Sequence, residues 1–359
     1  MDCAEKYCAC TICTTFNHEP FIKDAMSGFT MQETSYPFVC IIIDDASTDG
    51  TAAVIDGFLD EHFDFSDGSV AERKEQDFGR VVFAGHRDNK NCFFVVIFLK
   101  ENHNSRGKSK IPYYEEWMRS SRYIAFCEGD DYWTNPLKLQ MQVNVLERHE
   151  EMSLCCSACT VSTKDHSYLQ QRYLVDCIVP PEDIIDGGGL WLHLATYMVR
   201  RDVFLSLPLF CRRCHVGDYP LILWASMNGN VFFLSTETAV YRFQSPGSWT
   251  QRQNSQSIER LIRGWRSEVN MLENMNGWSK QKYESAFHHR IADYLYDQML
   301  IHKEDIKRII PSFKSEIRYF SLKQKAHLFF TRIHMEAVYS FLLDSWHIVK
   351  KRLEYVRRH

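Results

Sequence analysis

Phe126-Cys127-Glu128-Gly129-Asp130-Asp131-Tyr132-Trp133 closes an apolar, strand-like run (Tyr123 to Cys127) with three carboxylates inside four residues. Like charges held that close need a cation. Upstream, Cys40-Ile41-Ile42-Ile43-Asp44-Asp45 has the same form. In an open α/β sheet ligands bind at the carboxyl ends of parallel strands, so two acidic strand ends predict a metal-dependent nucleotide site.

Cys8 to Thr14 reads as a buried strand. Asn17-His18-Glu19-Pro20 then reads as a helix start, with Phe21, Ile22, Ala25, Met26 and Phe29 on one apolar face. Phe38 to Ile43 is a second strand, and Ile55, Phe58 and Leu59 keep helical spacing after the turn Asp45 to Thr51. Residues 60 to 91 are charged and glycine-dotted, which predicts a surface insertion before the strand Phe93 to Leu99. The polar loop Lys100 to Lys108, a short helix around Tyr113 to Ser121 and the strand Tyr123 to Cys127 follow. Strands alternating with helices predict an α/β fold with a mostly parallel, doubly wound sheet over about the first 130 residues. From Ser153 to Phe243 short strands (Leu154 to Val161, Val231 to Leu234, Ala239 to Arg242) mix with helices and the turn Gly187-Gly188-Gly189; past Ser245-Pro246-Gly247 the pattern is helical to the end.

With 359 residues and 45% hydrophobic composition, the chain can bury one large core plus a smaller appendage. A net charge of −4 gives no electrostatic footprint for nucleic acid. The amino-terminal residues lack the basic and apolar regions of a secretory signal. The apolar run Cys92 to Leu99 is far shorter than the roughly 20 residues that span a bilayer. A cytoplasmic, soluble or peripheral protein is expected. Thirteen cysteines without such a signal read as reduced thiols. Cys10/Cys13 and Cys156/Cys159 sit in strand-like sequence, where residues three apart face opposite sides and cannot share an ion. Only Cys211/Cys214 stays open as a pair.

Two motif matches fail on context. Asp45-x-Ser47-x-Asp49-Gly50 imitates a calcium loop, yet a continuously apolar strand precedes it where an EF-hand has a helix. Gly107-Lys108-Ser109 resembles the tail of a P-loop, but Asn102 replaces the leading glycine and Pro112 interrupts the following helix. Lys108 is still placed to meet a diphosphate as a point charge. Glu128, Asp130 and Asp131 are hard oxygen ligands suited to Mg2+ or Mn2+, ions that bind through one or two carboxylates plus substrate phosphates.

In order and spacing, Thr14-Thr15-Phe16-Asn17, Asp44-Asp45-Ala46-Ser47-Thr48-Asp49-Gly50-Thr51 and Glu128-Gly129-Asp130-Asp131-Tyr132-Trp133 with Pro136 closely resemble the nucleotide-sugar-dependent glycosyltransferases of family 2. The likeness covers about the first 245 residues. It implies a GT-A fold, Rossmann-like, with a catalytic domain over 1–245 (nucleotide-sugar half about 1–135, acceptor half about 136–245) and a C-terminal α-helical region over 246–359. It also implies that Thr14, Phe16 and Asp45 lie against base and ribose, supported by Asp44. Asp130 and Asp131 would face ribose, diphosphate and metal, with Glu128 at the first acidic place of the D-x-D pattern.

Val216-Gly217-Asp218-Tyr219-Pro220-Leu221 resembles the family segment that supplies the catalytic base, which makes Asp218 the candidate. Tyr241-Arg242-Phe243-Gln244 resembles its tyrosine-arginine segment. Arg242 is the candidate diphosphate contact, and Gln244 stands where some members place a histidine.

Sugar transfer needs the leaving group's charge neutralised, as a divalent ion does, and the acceptor hydroxyl deprotonated, as a placed carboxylate does. The expected activity is inverting transfer from a nucleoside-diphosphate sugar, a UDP-sugar foremost, to a glycan or lipid-linked saccharide in surface polysaccharide synthesis. A catalytically inactive nucleotide-binding scaffold and a nucleotidyltransferase are the alternatives. The terminal stripe Tyr339, Leu342, Trp346, Val349, Leu353 and Val356, with Lys350, Lys351, Arg352, Arg357 and Arg358 at its end, reads as a helical cap, and after that as a homodimer contact or a peripheral membrane-surface helix at the inner membrane face.

Overall fold

The computed structural model describes residues 5–66, 71–245 and 256–333. The stripe Tyr339 to Val356, its basic end and the turn residues Pro246 and Gly247 lie outside the described residues. The chain divides into two compact units, Met1–Arg212 with Val216–Ser255, and Arg213–His215 with Gln256–His359.

Among the described residues of the first unit, twelve strands join in one sheet. In chain order they are β1 (Tyr7–Thr15), β2 (Phe38–Asp44), β3 (Ala71–Gln76), β4 (Gly79–Gly85), β5 (Cys92–Leu99), β6 (Ser121–Phe126), β7 (Tyr132–Trp133), β8 (Met152–Ser162), β9 (Ser167–Gln170), β10 (Cys177–Val179), β11 (Met198–Arg200) and β12 (Asn230–Arg242). Across the sheet the order is β10-β12-β8-β11-β6-β1-β2-β5-β4-β3, with β7 against β12 and β9 against β8. Strands β6, β1, β2 and β5 are parallel. Strand β11 pairs antiparallel with both β6 and β8, and β12 runs parallel to β8. Strands β1, β2, β5, β6, β8 and β12 therefore point the same way, and the carboxyl ends of β1, β2, β6, β8 and β12 share one edge.

The reason for this sheet is in the apolar runs. Phe38–Asp44 is buried at every position, as a parallel strand covered on both faces must be. The helix Ile22–Thr30 buries Ile22, Ala25, Met26 and Phe29, one stripe at helical spacing, and Phe29 meets Trp133 edge-on at 4.9 Å. The helix Thr51–His62 buries Ile55, Phe58 and Leu59.

Four local readings change. Residues 60 to 91 contain the antiparallel pair β3/β4, which extends the sheet beyond β5; β3 is nearly all exposed, so its charged sequence hid its conformation. The two strands read at Val231 to Leu234 and Ala239 to Arg242 are one strand broken by register shifts. The helix expected at Tyr113 to Ser121 is a 3-10 turn, Ile111–Tyr113, followed by Glu115–Arg119, and Ser121 already opens β6. Asn17 does not cap the first helix, which begins at Ile22 without a side-chain cap; it adopts a left-handed φ of 57° and bonds elsewhere.

In the second unit, the helix Ile258–Trp278 buries Leu261, Trp265, Val269, Leu272 and Met275. Glu284–Ile301 buries Phe287, Ile291, Leu295 and Met299. Leu322–Arg332 starts with a capping box between Ser321 and Gln324, which satisfies two backbone donors that the first turn leaves open. Among the described residues no helix is long and apolar enough to cross a membrane.

Candidate active site

The loops that follow β1 and β2 interlock. Ser47 Oγ accepts from Asn17 N at 2.9 Å, Asn17 Oδ1 accepts from Thr48 N at 2.8 Å, and Glu19 Oε2 accepts from Gly50 N at 3.0 Å. Ser47 and Asn17 are small polar residues that compete well for nearby backbone groups, so the Asn17 and Ser47 positions fold as one corner. Thr14 and Phe16, both partly buried, lead into that corner. Asp44 is buried and accepts from Ser47 N and Oγ at 3.1 and 2.5 Å; burial outweighs these bonds and pushes its carboxyl above the ordinary range.

Asp45 is 2% exposed and its carboxylate ties down the loop after β5. Oδ1 accepts from His103 N at 2.7 Å, and Oδ2 from Asn104 N at 3.0 Å and from Lys110 Nζ at 3.1 Å. The cation that reaches Asp45 is therefore Lys110; Lys108, two residues earlier, is half exposed and pairs with Glu101. The polar loop announced its donors, but spacing did not distinguish one lysine from the other.

The acidic turn after β6 is clamped from β12. Arg242 N donates to Asp131 Oδ1 at 2.8 Å, Arg242 Nη1 to the Asp130 carbonyl at 2.9 Å and Arg242 Nη2 to Asp24 Oδ2 at 2.5 Å. The guanidinium also stacks over the rings of Tyr132 and Phe21, at 4.4 and 5.0 Å. Asp130 Oδ2 accepts from the buried Ser245 Oγ at 2.7 Å, and His18 Nε2 stands 3.9 Å away. Gln244, with φ at 58°, turns the chain from β12 to Ser245. His18 and Ser245 carried no signal in sequence, because their approach to Asp130 depends on strand order.

Asp130 and Asp131 are buried, whereas Glu128 is exposed. Burial, with the Asp130 charge second, holds the Asp131 carboxyl well above its ordinary range. Among the described residues no group of three or more His, Cys, Asp or Glu side chains forms a metal-holding cluster. Asp130 and Asp131 would therefore hold a hard divalent ion only with substrate phosphates and water as its remaining ligands. Gly129 is required between Glu128 and Asp130, since a Cβ there would lie 2.5 Å from Thr15 Oγ1.

Asp218 is the first residue of the helix Asp218–Met227. That helix leads through Asn228 and Gly229 into β12 and packs against β8 and β12. It therefore runs back along them, and its N-terminus points to the edge carrying the acidic turn. Burial raises the Asp218 carboxyl above its ordinary range. Oδ1 accepts from Tyr219 N at 2.8 Å.

Residues 10–80 match the model described as glycosyl transferase family 2. Over that stretch the chain is similar to glycosyl transferase family 2. The uncharacterized proteins Rv1520 of Mycobacterium tuberculosis and Mb1547 of Mycobacterium bovis are each 28% identical to it over 247 residues, 66% of this chain and 58% of theirs. The match thus spans little more than half of those relatives. Among solved structures, residues 1–349 of S. aureus TarS, crystallised with UDP-GlcNAc, superpose with a TM-score of 0.59 at 15% identity, over 94% of this chain and 91% of that one. A longer S. aureus TarS structure gives 0.56 at 14% identity, over 90% and 52%. At such identity the likeness speaks for a shared GT-A fold alone.

Proposed function

We propose that this family 2 domain is an inverting, divalent-metal-dependent glycosyltransferase that moves a sugar from a nucleoside diphosphate to a hydroxyl of a glycan or lipid-linked saccharide. What supports this reading is the buried pair Asp130/Asp131, clamped by Arg242 at the carboxyl edge of the sheet, together with Asp218 at the start of the helix that leads into β12. The UDP-GlcNAc complex of TarS supports a UDP-sugar as donor.

In this reading Asp130 and Asp131 hold Mg2+ or Mn2+, which when bound supplies Lewis-acid charge for a departing diphosphate. Thr14, Phe16 and the corner built on Asp44 and Asp45 receive base and ribose, and the half-exposed Lys108 swings from Glu101 toward phosphate. Arg242 acts through the acidic turn, fixing it by its carbonyl and carboxylate, rather than on phosphate directly. Asp218 takes the proton from the acceptor hydroxyl at a carboxylate oxygen. Burial raises its affinity for protons above that of an ordinary aspartate, which makes it the stronger base. Attack from the Asp218 side, opposite the departing group, is a single displacement and inverts the anomeric carbon.

The test is thermal unfolding with UDP, GDP or CTP and Mn2+, alongside sugar-transfer assays of Asp130→Ala and Asp218→Ala. A ligand that binds only the native chain raises its midpoint. UDP protection that is lost in Asp130→Ala, with transfer lost in both folded variants, is the expected result. Protection without transfer in wild type means a nucleotide-binding scaffold; unchanged turnover in the variants ends the proposal.

A further inference from the structure

The acceptor half of the first unit holds a cavity of about 430 Å³ lined by Arg172, Tyr173, Asp183, Asp186, Gly187 and Trp191. Its walls are stiff. The Tyr173 and Trp191 rings stand perpendicular, 89° apart with centroids at 5.9 Å. Tyr173 Oη donates to Asp183 Oδ2 at 2.5 Å. Arg172 Nε donates to the Trp191 carbonyl at 2.7 Å, and its guanidinium lies 5.9 Å from the Trp191 ring centre. Gly187 lets the indole sit against the helix Pro181–Gly187, since a Cβ there would fall 2.4 Å from Trp191 Cγ.

The cavity is joined to the candidate base. The helix Pro181–Gly187, which carries Asp183 and Asp186, packs on the helix that begins at Asp218. Tyr219 Oη, on the residue after Asp218, donates to the Ile185 carbonyl at 2.6 Å.

Two carboxylates against one guanidinium, itself tied to a carbonyl, make this a poor place for a phosphate. An aromatic corner beside carboxylate acceptors suits a neutral polyol: ring C–H faces lie on the aromatic surface, and hydroxyls donate to Asp183 and Asp186. The rim is unlike the floor. Leu174 and Val175, which follow Tyr173, are 85% and 67% exposed, and Leu190, which precedes Trp191, is 61% exposed. Ile178 on the edge strand β10 is also exposed. Exposed apolar side chains next in sequence to the residues of a concave site offer an apolar partner a surface to cover.

We propose that this cavity is the acceptor subsite and that the acceptor is an amphiphile, with its sugar ring on the outer face of the corner that Tyr173 and Trp191 form and its aliphatic portion on Leu174, Val175, Ile178 and Leu190. This rests on the transfer reading above and narrows its acceptor to a saccharide carried on an aliphatic chain.

Binding of methyl and n-octyl β-glycosides of glucose, galactose and N-acetylglucosamine, measured by calorimetry below the detergent's micelle concentration, tests it. For at least one sugar the octyl glycoside binds about tenfold tighter than the methyl glycoside, since burying even part of an alkyl tail gives that factor. Leu174→Asp with Val175→Asp removes the difference and leaves methyl glycoside binding intact. Trp191→Ala abolishes binding of both, and Trp191→Phe retains it. Equal affinities of each methyl and octyl pair in wild type, octyl binding untouched by all three variants, or no glycoside binding at all overturns the proposal. UDP protection in the same preparations reads the donor side separately, so loss of the acceptor idea and loss of the transferase reading are told apart.

Discussion

Replacing Lys138 with Met should stabilise the protein at neutral pH, and by less as pH rises. Lys138 is fully buried, its Nζ bonds Gln142 Oε1 at 2.6 Å and lies 4.5 Å from the centre of the Trp133 ring. Burial lowers its pKa from 10.5 to about 7, worth about 5 kcal/mol at about 1.36 kcal/mol per pH unit. The sign follows from linkage. Above 10.5 the amine is neutral whether folded or not, and nothing is lost. Between 10.5 and about 7 the unfolded chain takes up the proton while the folded chain resists, so stability falls as pH falls, and it levels off below about 7. The penalty is thus about 4 kcal/mol at pH 7 and about 2 kcal/mol at pH 9. Methionine fills the same space without it, but leaves Gln142 Oε1 without its donor, which costs about 1–3 kcal/mol. Lys138→Met is then more stable than wild type by about 1–3 kcal/mol at pH 7, and wild type regains about 2 kcal/mol on it by pH 9. Urea unfolding of both proteins across pH 7 to 9 measures this directly. Comparing the two cancels the buried thiols, which pull the other way at high pH. A difference that stays flat or widens with rising pH would refute the reasoning.

Asp45→Asn puts an amide donor among His103 N, Asn104 N and Lys110 Nζ, which now all donate to the carboxylate. It should cost about 1–3 kcal/mol and weaken UDP protection, whereas an unchanged midpoint would deny that Asp45 organises the loop after β5. Gly129→Ala drives a methyl to 2.5 Å from Thr15 Oγ1; overpacking of about 1–3 kcal/mol should appear in thermal unfolding with reduced Mn2+ uptake in calorimetry. Asp218→Asn should cut transfer about 10²- to 10⁴-fold. In wild type kcat/KM should fall as pH drops through a pKa above the ordinary 3.8 of an aspartate, and the same acid limb persisting in the variant would remove Asp218 from the base role.

The parallel core was legible because strands buried on both faces write themselves as continuous apolar runs, as in Cys40 to Ile43 and Phe93 to Leu99. The acidic turn was legible because three carboxylates crowded at the end of such a run repel one another unless a cation lies among them. What spacing could not supply was everything decided by neighbours in the sheet. Arg242 was singled out, yet its work on Asp130, Asp131 and Asp24 comes from β12 arriving beside β8 with β7 on its flank. Lys110 outcompetes Lys108 for Asp45 through the course of one irregular loop. Strand β3 escaped notice because an exposed edge strand has no buried face to leave a period of two in its sequence.

The clasp between Asn17 and the Ser47 to Gly50 turn bears on how tightly a nucleotide could be held. Two loops that gripped a ligand independently would each surrender freedom on association, about 0.5–1.5 kcal/mol for every side chain brought to rest. Here Asn17, Ser47 and Glu19 are already at rest against one another, so that entropic charge falls on folding and not on ligand capture. A nucleotide bound at this corner, as proposed above, would meet a ledge already set, and more of its contact energy would survive as affinity.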